Sequence, residues 1–162
     1  ELAHLAARSL PPDTDAFVVG RRAALSRSLA GLGVDGVQLD HAVDEIIAQL
    51  RRTLHDPVGR WILSSPGESE LALRSREVDG VGHHVVDRVL TDESGTCWVI
   101  DYKTGQVPIG LSEDTFVASQ LRDHTAQLRR YARLVEQIKQ QRPRAAVYLT
   151  ALARLVELGP VP

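Results

Sequence analysis

Gly82-His83-His84-Val85-Val86-Asp87-Arg88-Val89-Leu90 and, after a short break, Cys97-Trp98-Val99-Ile100-Asp101-Tyr102-Lys103-Thr104-Gly105 decide the fold of this 162-residue chain. Both runs are rich in β-branched and aromatic residues, and Asp92-Glu93-Ser94-Gly95 between them supplies turn chemistry, so the pair reads as a β-hairpin. Period-two alternation sets Val85, Asp87 and Val89 against Val86, Arg88 and Leu90. In the second strand Val99, Asp101 and Lys103 share one face, and Trp98, Ile100 and Tyr102 the other. Two carboxylates and an ammonium among valines are costly to bury without partners. The set suits a hard divalent cation held by carboxylate oxygens, with the lysine beside it to orient water or offset anionic charge. Metal-dependent phosphodiester hydrolysis is the first reaction class this implies. The plainer alternative is a surface ion pair between Asp101 and Lys103 on an edge strand. Asp87 on the neighbouring strand counts against it, because two like charges repel unless a cation or a proton lies between them.

Outward from the hairpin, the chain reads as helices, then strands, then one long helix and two more strands. Leu2 to Leu10 has the spacing of a short helix ended by Pro11-Pro12, and Arg21 to Leu32 aligns Leu25, Leu29 and Leu32 on one stripe. Leu39 to Leu54 is the clearest early helix, with Val43, Ile46, Ile47, Leu50 and Leu54 on its apolar face. Asp56-Pro57 is a cap followed by proline at the first helical position, with Trp61, Ile62 and Leu63 to anchor the turn that follows. After Ser64-Ser65-Pro66-Gly67 the period shortens, and Glu70 to Arg76 alternates as an edge or first strand. From about Thr115 to Gln140, Leu121, His124, Leu128, Tyr131, Val135 and Ile138 recur at three- and four-residue steps. Ala145 to Leu149 and Arg154 to Leu158 close a small mixed sheet, so the fold class is α/β (α+β). One domain over 1–162 is expected, with 1–63 as a helical cover and 68–158 as the core that carries the chemistry.

The totals narrow the partners. With 19 basic and 21 acidic residues the net charge of -2 gives no global support for nucleic-acid binding, so a phosphate-binding surface has to be local. Arg129, Arg130 and Arg133, with Arg122 before them, give the long helix that local character, although charged helix faces are ordinary. Cys97 stands alone, which excludes an intrachain disulfide framework and fits a reducing, cytoplasmic setting. No apolar run is long enough to cross a membrane. The absence of methionine, position 1 included, leads us to expect a piece of a longer protein. His83 and His84 are adjacent in a strand and point to opposite faces, and the other histidines lack ligand spacing, which argues against zinc. Gln127 and Tyr131 are one helical turn apart on one face, suited to holding a phosphodiester backbone or ordering a loop; the alternative is a core tyrosine with a solvated neighbour.

At these residues the chain resembles the PD-(D/E)xK nuclease superfamily. More narrowly it resembles the C-terminal nuclease domain of bacterial UvrD/Rep-like helicase-nucleases of the RecBCD and AddAB type, exonuclease V beta-subunit-like. The first acidic motif is matched by Val85-Val86-Asp87-Arg88, the DxK signature by Asp101-Tyr102-Lys103, and the QxxxY motif by Gln127-Leu128-Arg129-Arg130-Tyr131. Glu70 falls where the family often has a glutamate. The resemblance implies a restriction-endonuclease-like core in which Asp87 and Asp101 hold Mg2+ or Mn2+ and Lys103 aligns the water. Glu70, Gln127 and Tyr131 complete the implied site. It further implies DNA as substrate, as single-stranded or unwound ends, in DNA repair and recombination. Parent helicase domains, a partner helicase-nuclease subunit and a cytoplasmic, nucleoid-associated location go with it. The family's upstream histidine, in a Gly-Thr-x-x-His-x-x-Leu-like helix, has no clear match, since His4 is out of register. That departure leaves open a second class of function, a weakly active or inactive DNA-binding or scaffold module.

Overall fold

The computed structural model describes residue 10 and residues 13–77 and 80–159. The helix expected over Leu2 to Leu10 and His4 within it lie outside the described residues. The first helix described, α1 (Thr14–Gly20), was not legible in the pattern: it is two turns long, too short for a stripe to emerge. Asp13 caps it, accepting from Ala16 N at 2.9 Å, and Val18 is fully buried. Then follow α2 (Arg22–Gly31), α3 (Gly36–His55) and α4 (Pro57–Ser64). The apolar stripe of α3 packs as expected, with Val43, Ile47, Leu50 and Leu54 in one cluster with Val18, Leu25 and Leu63. Asp56 caps α4 by accepting from Gly59 N at 2.7 Å, with Pro57 at the start of the helix. Gly59 is required where it stands, because a Cβ there falls 2.2 Å from Thr53 O.

The strands are β1 (Gly67–Glu77), β2 (Gly80–Thr91), β3 (Cys97–Lys103), β4 (Arg144–Leu149) and β5 (Arg154–Glu157), and they lie side by side in sequence order. All neighbours are antiparallel except β3 and β4, which run parallel and are joined across one face by the long helix α5 (Glu113–Lys139). Such a crossover is what a parallel pair needs. Helix α4 covers the opposite face: Ile62 is buried with Leu90, Trp98, Ile100 and Tyr148, and Trp61 meets Trp98 edge to face with ring centroids 5.6 Å apart. On the α5 side, Tyr131 and Val135 pack on Val86, Val89 and Val99, while Phe116, Val117 and Leu128 pack on Ala145, Val147 and Leu149. This is the expected mixed sheet flanked by helices. The predicted turn forms around Asp92, whose carboxylate accepts from Ser94, Thr96 and Trp98 Nε1; the side-chain bonds from Ser94 and Trp98 hold its pKa down at about 2.

Two expectations need correction. Ile138 was assigned to the apolar face of α5 but is 59% exposed. The last turn of α5 meets the sheet through Lys139 instead, whose ammonium pairs with Glu68 of β1. The simple alternation of the first hairpin strand also fails at Asp87: Val86 and Val89 lie in the same cluster, while Val85 is 52% exposed. The ladder explains this phase change. β1 and β2 pair at Ser69↔Arg88 and again at Leu71↔Val86, skipping Glu70 and Asp87, and Glu70 has φ +52°. A non-glycine residue in the left-handed region there turns the strand locally and shifts which face its neighbours occupy.

Candidate active site

The same break opens a fork in the sheet. β2 and β3 pair from Thr91↔Cys97 only as far as Arg88↔Ile100, after which Asp101, Tyr102 and Lys103 pair with β4 alone. Where the next cross-strand contact would form, the Asp87 side chain takes over: its Oδ2 accepts the Tyr102 N–H at 2.8 Å. Asp87 and Asp101 are thereby brought together at the divergence of two strands. Lys103 Nζ lies 2.6 Å from Asp101 Oδ2. This is not the exposed ion pair of the plainer alternative, since Asp101 is only 3% exposed. The angles of that contact are not those of a hydrogen bond, and Asp101 Oδ2 has no other donor among the described residues. The Lys103 ammonium balances the charge of this buried carboxylate, and an anionic oxygen so placed is also of the type a hard cation takes.

Burial pushes the Asp87 carboxyl above the usual aspartate range, the Tyr102 N–H takes back part of that rise, and the charge of Asp101 adds to it. Lys103 opposes the shift and Glu70 reinforces it, so Glu70 belongs to the same electrostatic neighbourhood. Asp87 and Glu70 both line a cavity of ≈ 610 Å³ between the sheet and α3, together with Glu45, Gln49, Thr104 and Thr150. Among the described residues no group of three or more His, Cys, Asp or Glu is gathered to hold a metal ion. Two carboxylates remain sufficient for a magnesium-like ion, which retains waters and takes further oxygens from substrate phosphates. The donor set present therefore fits a hard divalent cation.

Gln127 and Tyr131 do meet, as Gln127 Nε2 donates to the Tyr131 hydroxyl at 2.8 Å. Tyr131 is a core residue, buried against Val86, Val89 and Val99 and edge-on to His84 at 6.2 Å between ring centroids. Among the described residues no hydrogen bond joins the pair to the carboxylate of Asp87 or Asp101. His84 is held by Ser75 Oγ at 2.8 Å.

Three residues that position the site were not singled out from the sequence. Gln49 of α3 donates to Thr104 O at 3.1 Å, and Thr150, just past β4, places its Oγ1 2.6 Å from Gln49 Oε1. Thr150 N also donates to Lys103 O at 3.0 Å. Together they clamp the peptide that carries Lys103, but the partners are 47 to 101 residues apart and no local pattern announces them. The third is Arg88, for which the signal was available: an arginine between apolar residues in the Val85–Leu90 run, next to the first aspartate. A family model described as the PD-(D/E)XK nuclease superfamily matches residues 2–158. No curated protein matches the chain.

Proposed function

The chain belongs to the PD-(D/E)XK nuclease superfamily, and from that membership we propose that it is a Mg2+- or Mn2+-dependent deoxyribonuclease cutting single-stranded or unwound DNA. The observation that carries this reading is the fork at which Asp87 and Asp101 meet with Lys103 Nζ against Asp101 Oδ2. Nucleases of this superfamily generally use divalent metals. Asp87 and Asp101 would hold that ion, which when bound polarises the phosphate and acidifies a water. Lys103 has two tasks in this reading: its ammonium orients the attacking water and balances charge that develops on the phosphate. The Gln49–Thr150 clamp keeps Lys103 in place while it does so. Glu70 shapes the cavity rim beside Asp87, and the Gln127–Tyr131 pair orders the helix behind the aspartates.

The resemblance in the DxK and QxxxY motifs supports a narrower setting, in which this nuclease works with helicase domains of its parent protein and a partner subunit on bacterial DNA ends, in the cytoplasm beside the nucleoid. The test is cleavage of labelled single- and double-stranded DNA with magnesium or manganese. Metal-dependent cutting of single strands is expected; cutting that persists in excess EDTA or in Asp101→Ala refutes the reading. A second reading, a DNA-binding or scaffold module with little turnover, draws on the two-carboxylate donor set among the described residues. DNA binding with no metal-dependent cutting would select it.

A further inference from the structure

The cavity beside Asp87 is poorly suited to hold a polyanion by itself. Its described lining carries Glu45, Glu70 and Asp87 and no lysine or arginine. With a net charge of -2 over the whole chain, affinity for phosphates has to come from a concentrated cationic surface elsewhere. One cleft has that character. It measures ≈ 770 Å³ and lies between α5 and the β4–β5 edge, lined by Arg129, Arg133, Arg142 and Arg144 against Glu136 and Glu157.

The charges in the cleft are unequally committed. Arg144 is engaged: it forks onto Glu157, with Nε 2.6 Å from Oε1, and lies over the Trp98 ring at 4.3 Å. Arg129, Arg133 and Arg142 make no ion pair among the described residues. Arg129 Nε is buried without any hydrogen-bond partner, and Arg133 Nε has only a backbone oxygen, Arg129 O at 3.3 Å. On α5, positions 129, 132, 133 and 136 form one stripe at three- and four-residue spacing, so the helix presents its two guanidiniums to the same groove. Guanidiniums that pair with no carboxylate can donate to a ligand that brings oxygens.

The position along the sheet gives the cleft its relation to the catalytic fork. Arg144 pairs with Trp98 and Val147 with Asp101. Three strand residues separate the two levels, roughly 10 Å at ~3.3 Å per residue. The cleft also lies one to two strands beyond β3, a further ~5–10 Å across the sheet, so a nucleic-acid strand of a few nucleotides is long enough to reach from the fork to the cleft. We propose that this arginine cleft is a second nucleic-acid site, binding the phosphodiester backbone of the strand whose other part lies at Asp87 and Asp101. The proposal rests on the nuclease reading for the identity of the ligand. It assigns affinity to the cleft and chemistry to the fork, and it predicts that binding carries little sequence preference.

The experiment is fluorescence anisotropy with labelled oligothymidylate in EDTA over a range of salt concentrations, so that binding is read without cleavage. The variant is Arg133→Ser with Arg142→Ser, both exposed positions whose loss leaves the core untouched. The expected result is weaker binding and a plot of log K against log salt shallower by about 1.4, since each single-strand phosphate contact contributes ~0.7 to the slope. Arg133→Lys with Arg142→Lys should restore the slope. Arg27→Ser with Arg76→Ser, the same charge change outside the cleft, should leave it unchanged. An equal loss in that control makes the effect one of net charge and overturns the proposal. An unchanged slope in the cleft variant overturns it as well. So does a cleft that binds oligoglutamate while DNA binding is untouched, which assigns it to an acidic protein partner. A protein that binds DNA through the cleft yet never cuts would leave this inference standing and remove the nuclease reading.

Discussion

Replacing Arg88 by methionine tests whether a buried cation is what ties the catalytic strand to the helix behind it. Arg88 is 1% exposed, the largest of the fully buried side chains. Its Nε donates to Ile62 O at 3.1 Å, Nη2 to Ser65 O, and Nη1 to Ser69 Oγ at 3.3 Å. The need for it comes from Pro66: the residue four beyond Ile62 has no N–H, so the last turn of α4 keeps a carbonyl that the helix cannot satisfy. A positive charge at that end also suits the helix dipole. Methionine fills the space but leaves the Ile62 and Ser65 carbonyls without this donor, at ~1–3 kcal/mol each. Part of that is offset because no guanidinium has to be desolvated. The expected net loss is about 3 kcal/mol, read by urea denaturation, or a fall in Tm of roughly 6–12 °C for a chain of this size. Cleavage should fall too, since Asp87 is the adjacent residue. A midpoint equal to or above the wild-type value would refute the reasoning.

Three further outcomes follow from the site itself. Because burial raises the folded-state pKa of Asp87, its ionised form costs stability that is absent below the ordinary aspartate range, grows as pH rises from there to the raised pKa, and is fully present above it. Asp87→Asn in EDTA should therefore be more stable than wild type at pH 7, with the gain fading toward the ordinary aspartate range near ~4, while cleavage is lost; urea midpoints across pH decide it, and a less stable variant at pH 7 contradicts the burial argument. Lys103→Ala should lower cleavage by ~100-fold or more while manganese affinity by calorimetry changes little, because the ammonium acts on water and charge rather than as a ligand; equal losses in both would place Lys103 in the metal shell. Thr150→Val should cost only about 1 kcal/mol of stability but reduce turnover, because it removes the Oγ1 bonds to Gln49 Oε1 and Lys103 O and so loosens the side chain that holds Thr104 O; turnover indistinguishable from wild type would make the clamp dispensable.

What could be read in advance was whatever is local. The hairpin is two β-rich runs around a turn; α3 and α5 show long apolar stripes; Asp56-Pro57 is a cap and a start within adjacent residues. The pairing of Asp101 with Lys103 followed from parity, and the proximity of Asp87 from strand adjacency. The features that escaped depend on tertiary structure. Nothing near Glu70 announces a left-handed residue, or the gap in the β1–β2 ladder opposite Asp87 at which the faces of β2 change phase. Gln49 and Thr150 look like solvated polar residues until α3 lies against the end of β4. Tyr131 falls on the apolar stripe of α5, and that is how it packs; its bond from Gln127 is the part that composition could not distinguish from a coincidence of spacing.

The carboxylate that replaces a rung of the ladder between β2 and β3 also limits its own denticity. Oδ2 of Asp87 is engaged by the Tyr102 amide, leaving Oδ1 as the uncommitted oxygen. A cation taken on Oδ1 leaves the Tyr102 amide its acceptor undisturbed, at the point where β3 has already parted from β2. In the nuclease reading proposed above, Asp87 would therefore offer a cation chiefly Oδ1, with Asp101, water and substrate oxygens to supply the rest.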